Sequence, residues 1–390
     1  MNIAGIIAEY NPFHNGHMYH LQKTRELAGC DFIVAVMDGA FTQRGEPALT
    51  DKFARVECAL RSGVDAVFEL PAAWAARPAQ IFARGGVEIL NALHVDEISF
   101  GCETQDIEQL KTLADMLSDE SDALSAAIRT GLDAGQTFAR ARGNALAQAA
   151  GVSEEFLRQP NTALALEYLQ AMKRVSCAAR PVAVLRTAPY HAEGEEWASA
   201  SAVRRAVYEG RAEEAILHLP VCTRDVMARA IMDGVCRKDV YGELVLYRLR
   251  SMALADAEGL ADGGEGLAGR LLEAAARCVS YDELVEQVKC KRYTRARITR
   301  LIAAAMLGIR EDAAEEVPYL RILGFRKDAR ALLTELARRA DRPMVSDAAK
   351  LRGSEAFETE CRATDLWGQL VKKREWRVCG REFTQKMVVV

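Results

Sequence analysis

Residues 3–20 read IAGIIAEYNPFHNGHMYH, and their reading decides the fold. Ile3 to Ala8 is a short apolar run, as expected of a buried strand in a parallel sheet. Asn11, Pro12 and Asn15 then supply turn chemistry. His14-Asn15-Gly16-His17 follows, and an amphipathic helix is predicted to run on to Gly29, its cap. Two histidines thus stand where a strand gives way to a helix.

The residue types suit phosphate chemistry. A helix N-terminus presents unpaired N–H groups and the positive end of the helix dipole, so anions settle there. Gly16 lacks a side chain, which lets a nucleotide approach the backbone. His14 and His17 can donate to phosphate oxygens as charge builds on the α-phosphate during in-line attack. This HxGH pattern marks nucleotidylyl- and adenylyl-transfer enzymes. An ordinary surface turn is the bland alternative, and the flanking strand and helix argue against it.

Working outward, strand and helix alternate over the first hundred residues. Further strands are expected at Asp31–Met37, Val64–Leu70 and Val95–Phe100, with helices between Asp51 and Gly63 and from Gln80 to Leu93. This rhythm implies an α/β fold with an open parallel sheet, whose ligands sit outside the carboxyl ends of the strands. From Asp106 to Ala150 the chain turns helical. Pro160-Asn161-Thr162 opens another helix, and Pro181–Arg186 is one more strand ending at the same edge. Beyond Arg211 the pattern is mainly helical. ADGGEGLAG (261–269) reads as a flexible turn, Arg321–Phe325 as a short strand and Leu351–Glu360 as a polar loop. The expected division is 1–210, an α/β domain with a helical insertion near 106–175, and 211–390, a mainly helical region.

The 390 residues suffice for about two or three domains. No apolar run reaches membrane-spanning length and no signal peptide is visible, so a cytoplasmic protein is expected. The 10 cysteines form no CxxC, which argues against a zinc or redox motif. The net charge of −4 confines any nucleic-acid contact to a local basic patch.

Three further stretches carry candidate chemistry. In FTQRGEP (41–47), Arg44 can clamp a phosphate or remain a solvated turn residue. In SASAVR (199–204), Ser199, Ser201 and Arg204 can hold phosphates at a helix start, or Ser199 can be a plain N-cap. Lys289 to Arg300 reads KCKRYTRARITR, with six basic residues and no acid. If helical, it gathers Arg292, Arg295, Arg297 and Arg300 toward one side. With Lys289, Lys291 and the aromatic Tyr293, it suits RNA phosphates and an unstacked base.

Taken together, GIIAEYNPFHNGHMYHL, FTQRGEPA, VDAVFELP, FARGGVEIL, ISFGCE, PNTALALEYL, ASASAVR, KRYTRARITR, LRILGF and ATDLW resemble the bacterial tRNA(Met) cytidine acetate ligases, from near residue 1 to about 370. The resemblance implies an HxGH nucleotidylyltransferase-like domain followed by a helical tRNA-binding part. It implies that ATP, with Mg²⁺, activates acetate as acetyl-adenylate. The acetyl group then passes to N4 of the wobble cytidine of elongator tRNA(Met). It places ATP against Ile7, Ala8, Glu9, Tyr10, Asn11, Pro12 and Phe13, then His14, Asn15, Gly16, His17, Met18, Tyr19 and His20. Gly101, Asn161 and Arg186 are its later ATP contacts. No protein-held metal and no membrane partner are implied.

The chain departs from the family pattern at Asp38, where serine is usual, at Arg77-Pro78, and at Ala192 after His191. Two other readings share the HxGH turn. A small-molecule nucleotidylyltransferase needs neither the extra helices nor the basic stretch. A catalytically inactive RNA-binding protein of this fold needs no histidines.

Overall fold

The computed structural model describes residues 1–119, 121–136, 138–186, 199–313 and 315–390, with backbone alone at 138–139. The Ala192 departure lies outside the described residues. In the first part, β1 (Ile3–Ala8), α1 (Asn15–Ala28), β2 (Phe32–Asp38), α2 (Lys52–Arg61), β3 (Ala66–Leu70), α3 (Ala72–Ala75), α4 (Ala79–Ala92) and β4 (Glu97–Cys102) alternate as expected. Four helices follow: α5 (Ile107–Ser118), α6 (Asp122–Asp133), α7 (Phe138–Ala150) and α8 (Glu154–Arg158). Then come α9 (Pro160–Arg174), β5 (Arg180–Leu185) and α10 (Ala200–Tyr208).

The sheet order is β5-β4-β1-β2-β3, all parallel. From β1 the chain steps outward to β2 and β3, then crosses back to β4 on the other side of β1. The strand order therefore reverses between β1 and β4, and a crevice opens at their carboxyl ends. The turn after β1 and Gly101 on β4 both lie there.

Alternation along the strands supplies two cores. Val34 and Val36 of β2 join Ile3, Phe68, Ile98 and the inner faces of α4, α5 and α9. Ile33, Ala35 and Met37 face the other way, against Leu21 of α1, Val56 and Leu60 of α2, and Val203 of α10.

The later chain contains α11 (Ala212–Leu217), α12 (Arg224–Asp233), α13 (Lys238–Arg250), α14 (Leu254–Glu258), α15 (Leu267–Ala275), α16 (Tyr281–Val288) and α17 (Arg295–Leu307). After them come β6 (Leu320–Phe325), α18 (Arg330–Arg339), β7 (Met344–Val345), α19 (Glu355–Gln369), α20 (Arg381–Thr384) and β8 (Val388–Val389). β6 adds antiparallel to β3, and β7 and β8 pair with its far side. The sheet is thus mixed at this end, not wholly parallel, because a strand from the second half enters it from the opposite direction. The helical core of α13, α15, α16 and α17 also takes in Ala40, Phe41, Ala72 and Ala76 from the sheet's carboxyl edge.

The stretch Leu351–Glu360 is not a polar loop. Most of it is the first part of α19, and Glu360 is fully buried. Its carboxylate lies 2.9 Å from Lys52 Nζ, which also meets Glu69 at 2.7 Å and Glu382 at 2.5 Å. Arg321 of β6 completes the network with Glu69 and Glu382. Buried charges of this kind persist only when paired, and periodicity alone does not reveal such pairing. No described helix is long and apolar enough to cross a membrane.

Candidate active site

His14 is the N-cap of α1 and His17 its third residue. Nδ1 of His14 accepts from the Gly16 amide at 2.9 Å, and Nδ1 of His17 accepts from the His14 amide at 3.2 Å. This is a capping box built from imidazoles in place of the usual hydroxyl and carboxylate. A ring nitrogen that accepts carries no proton, so each neutral ring bears its proton on Nε2. The rings lie with centroids 3.9 Å apart and planes tilted by 33°. A Cβ at position 16 would come within 2.7 Å of the His14 ring, so Gly16 is needed first to let His14 fold over the helix end.

Burial pushes His14 down to about 4, assisted by the charges of Arg186 and Arg204. Burial also holds His17 well below its ordinary value, with His14, His20 and Arg186 adding to the effect. His20 is likewise pushed down to about 4, by burial and then Arg186. Its Nε2 lies 3.1 Å from Ser99 Oγ on β4, which also meets Thr24 Oγ1 at 2.6 Å. The first two turns of α1 thus carry neutral imidazoles in a positive field, an arrangement suited to a polyphosphate.

The later expected positions arrive at the same edge. Arg186 follows β5 and donates from Nη1 to Asn161 Oδ1 at 3.0 Å. Gly101 lies beneath the Arg186 side chain, a Cβ there falling 3.7 Å from its Cγ. Arg204 of α10 donates to the Asn11 carbonyl at 2.5 Å, which ties this helix to the turn after β1. Ser199 caps α10 through the Ala202 amide at 3.3 Å and lies 2.9 Å from the Ser201 hydroxyl.

Within residues 7–20, exposure is uneven. Asn15 and Gly16 are exposed, whereas Tyr10, Asn11, Pro12 and Phe13 are buried. Tyr10 and Phe13 pack on the His17 ring. Asn11 Oδ1 accepts from the Leu49 amide at 2.8 Å. These side chains hold the turn in shape.

Sequence reasoning missed three supports. Arg55 of α2 is buried and donates to the Glu9 carbonyl at 2.6 Å and to Asp38 at 2.7 Å. Asp38, the departure from the family's serine, is therefore the partner of a buried arginine beside the site. Ser99 is the second support. Glu103 is the third: it accepts from Asn161 Nδ2 at 2.7 Å. Its place just past β4, at the edge where ligands bind, was the available signal. The Arg77 departure is structural, because its buried guanidinium donates to the Arg310 and Glu311 carbonyls.

Arg44 is exposed, in a loop tied to the site by the Gln43 amide donating to Glu9 at 2.9 Å. That loop rests on α17. Thr299 Oγ1 donates to the Arg44 carbonyl at 2.6 Å, and Gly45 has φ +73° with Arg300 Cα 2.5 Å from where a Cβ would stand. Only a glycine tolerates both constraints.

The basic stretch differs from expectation in three ways. Helix α17 begins only at Arg295, capped by Thr294, so Arg292 does not share its face. Acids from other segments neutralise it. Arg295 meets Asp282 and Glu286, Arg297 meets Glu265, and Arg300 meets Asp262 at 2.8 Å. Lys289 pairs with Glu286, and Arg292 lies 3.9 Å from Glu265. Tyr293 is 6% exposed and donates to the Glu265 carbonyl, so its ring is core and offers no platform for a base. Lys291 is exposed and has no ion-pair partner among the described residues. The glycine-rich stretch that read as a flexible turn supplies Asp262 and Glu265.

Among the described residues, the one group of three acids close enough to share a metal is Glu69, Glu360 and Glu382. Lys52 and Arg321 already pair with those carboxylates and occupy the space between them, so this group does not fit Mg²⁺.

A family model described as HIGH Nucleotidyl Transferase matches residues 1–381. A tRNA(Met) cytidine acetate ligase of Thermoanaerobacter sp. (strain X514) is 34% identical over 403 aligned residues, covering 100% of both chains. One from Caldanaerobacter subterraneus subsp. tengcongensis is 36% identical, covering 94% of this chain and 95% of that protein. The crystal structure of Thermotoga maritima TmcAL bound with alpha-thio ATP matches with a TM-score of 0.93 and 32% identity over 100% of both chains. Matched by the family model over residues 1–381 and by these relatives over 94–100% of its length, the chain belongs to the tRNA(Met) cytidine acetate ligase family.

Proposed function

We propose that this protein uses ATP to ligate acetate to the N4 amine of the wobble cytidine in elongator tRNA(Met), giving N4-acetylcytidine. The observation that carries the reading is the stacked His14–His17 pair at the N-terminus of α1, with both Nε2–H groups left to donate.

In the first step an acetate oxygen attacks the α-phosphorus of ATP. The new P–O bond forms as the bond to the bridging oxygen breaks, and pyrophosphate leaves. Nε2–H of His14 and His17 donate to the α-phosphate oxygens, where negative charge grows. The α1 amides and the charges of Arg186 and Arg204 offset the remaining phosphate charge. Neutral imidazoles suit this role, since they donate without giving up a proton. Mg²⁺ carried by ATP would add charge screening to what these residues supply. In the second step the cytidine N4 attacks the acetyl carbon, the C–N bond forms, AMP leaves, and N4 loses a proton.

Residues 1–210 carry the adenylate chemistry, and 211–390 hold the tRNA. The exposed lysines Lys289 and Lys291, with the outward parts of Arg292, Arg295 and Arg297, present the RNA-facing charge. Arg300 and Tyr293 support that surface from beneath.

The test is incubation with ATP, radiolabelled acetate and elongator tRNA(Met), followed by nucleoside analysis. Labelled N4-acetylcytidine is expected. ATP consumed to form a stable dinucleotide would instead indicate a small-molecule nucleotidylyltransferase.

A further inference from the structure

Helix α9 starts at Pro160 without a cap of its own, because Gln159 makes no side-chain hydrogen bond there. Glu103, the residue after β4, supplies the missing acceptor. Its Oε2 accepts from the Thr162 amide at 2.7 Å and from Thr162 Oγ1 at 2.9 Å. Its Oε1 accepts from Asn161 Nδ2 at 2.7 Å. Asn161 then turns Oδ1 toward Arg186, which donates to it at 3.0 Å.

The order of these bonds is dictated by chemistry. An ionised carboxylate only accepts, so it can engage only the NH₂ end of the Asn161 amide. That choice leaves the carbonyl end for Arg186, whose guanidinium only donates. The Arg186 backbone is held as well, by its amide on the Cys102 carbonyl at 2.9 Å. A fixed chain therefore runs from Glu103 through Asn161 to Arg186, at the edge that carries His14 and His17.

We propose that Glu103 is a positioning residue of the nucleotide site: by fixing which end of Asn161 faces outward, it holds Arg186 where the ATP phosphates bind. This rests on the reading of the site as an ATP site.

A helix cap and a positioning residue are told apart by exchanging the two groups. In Glu103→Gln the side chain keeps one acceptor, which the two Thr162 donors retain. Its new NH₂ then faces Asn161, which must offer its carbonyl and turn its own NH₂ against Arg186. Asn161→Asp alone sets two carboxylates face to face. In E103Q/N161D the new amide donates to the new carboxylate, which again accepts from Arg186.

ATP affinity, measured by calorimetry without tRNA, reads the difference, with thermal midpoints taken alongside. Each single variant should weaken ATP binding on the order of tenfold. Because Asn161 is itself an expected ATP contact, the double variant is compared with N161D, and it should bind ATP several-fold more tightly than that single variant, with similar midpoints. If E103Q does not fold, N161D against the double variant gives the same comparison. Wild-type affinity in E103Q, or a double variant no better than N161D, overturns the proposal. Wild-type protein that binds no ATP overturns the nucleotide-site reading and the proposal with it.

Discussion

His14 and His17 each spend Nδ1 on the backbone of their own turn and lie 3.9 Å apart with Nε2 left over. The fold thereby sets the tautomer of both rings before any ligand arrives. His17→Ala should cut acetate-dependent exchange of labelled pyrophosphate into ATP on the order of 10²-fold or more, since a donor to the transition state is removed. Exchange at the wild-type rate would remove His17 from the mechanism.

The depressed histidines also make stability depend on pH. His14 titrates near 6.5 when unfolded and near 4 when folded, so between these values the unfolded chain binds more protons. Its contribution is full above about 6.5 and is lost as pH falls toward 4. The urea midpoint of wild type should therefore fall over that window, and His14→Asn should flatten its share of the fall. An unchanged slope in the variant would mean that His14 titrates normally in the folded protein.

Arg186 bonds Asn161, and its charge acts on His14, His17 and His20. Arg186→Ala should raise the KM for ATP more than that for tRNA. An equal rise in both would show that Arg186 serves RNA instead.

In the basic stretch, exposure now separates two classes of residue. Lys289→Ala with Lys291→Ala should leave folding and pyrophosphate exchange intact while weakening tRNA binding. The log–log salt slope should drop by about 0.7–0.9 for each phosphate that the variant no longer neutralises. Arg300→Ala should instead destabilise the protein, because its partner Asp262 is 9% exposed by side chain and would keep only the more distant Arg297, 3.8 Å away. A folded double lysine variant with normal tRNA affinity would place RNA elsewhere.

Lys52 balances Glu69, Glu360 and Glu382 in a fully buried network. Lys52→Met should cost about 3–5 kcal/mol, the typical result of stranding buried charge. Burial already pushes Glu360 up to about 7, with Lys52 opposing that rise. A raised carboxyl favours the fold below its ordinary 4.5 and loses that advantage as pH climbs toward 7. Without Lys52 the rise should grow, so chemical denaturation should show a larger loss from pH 5 to pH 8 in the variant. A loss no larger than in wild type would mean that Lys52 is not what holds these carboxylates ionised.

The strand, turn and helix of residues 3–28 were legible because their causes are local. Apolar alternation, turn residues and capping act within a few positions, and so the HNGH turn could be placed at a strand end from the chain alone. That β1 to β5 run parallel followed from the same rhythm, whereas their spatial order came from packing. Tertiary structure decided what the charges do. KCKRYTRARITR holds no acid, yet Asp262, Glu265, Asp282 and Glu286 are brought to it by α14–α17 packing, and Tyr293 is drawn into the core. Glu103 finds Asn161 from 58 residues away, and Lys52 finds Glu360 from 308. Such partners are chosen by which segments share a buried surface, where an unpaired charge is too costly to leave. That choice exists only once the sheet and helices have packed.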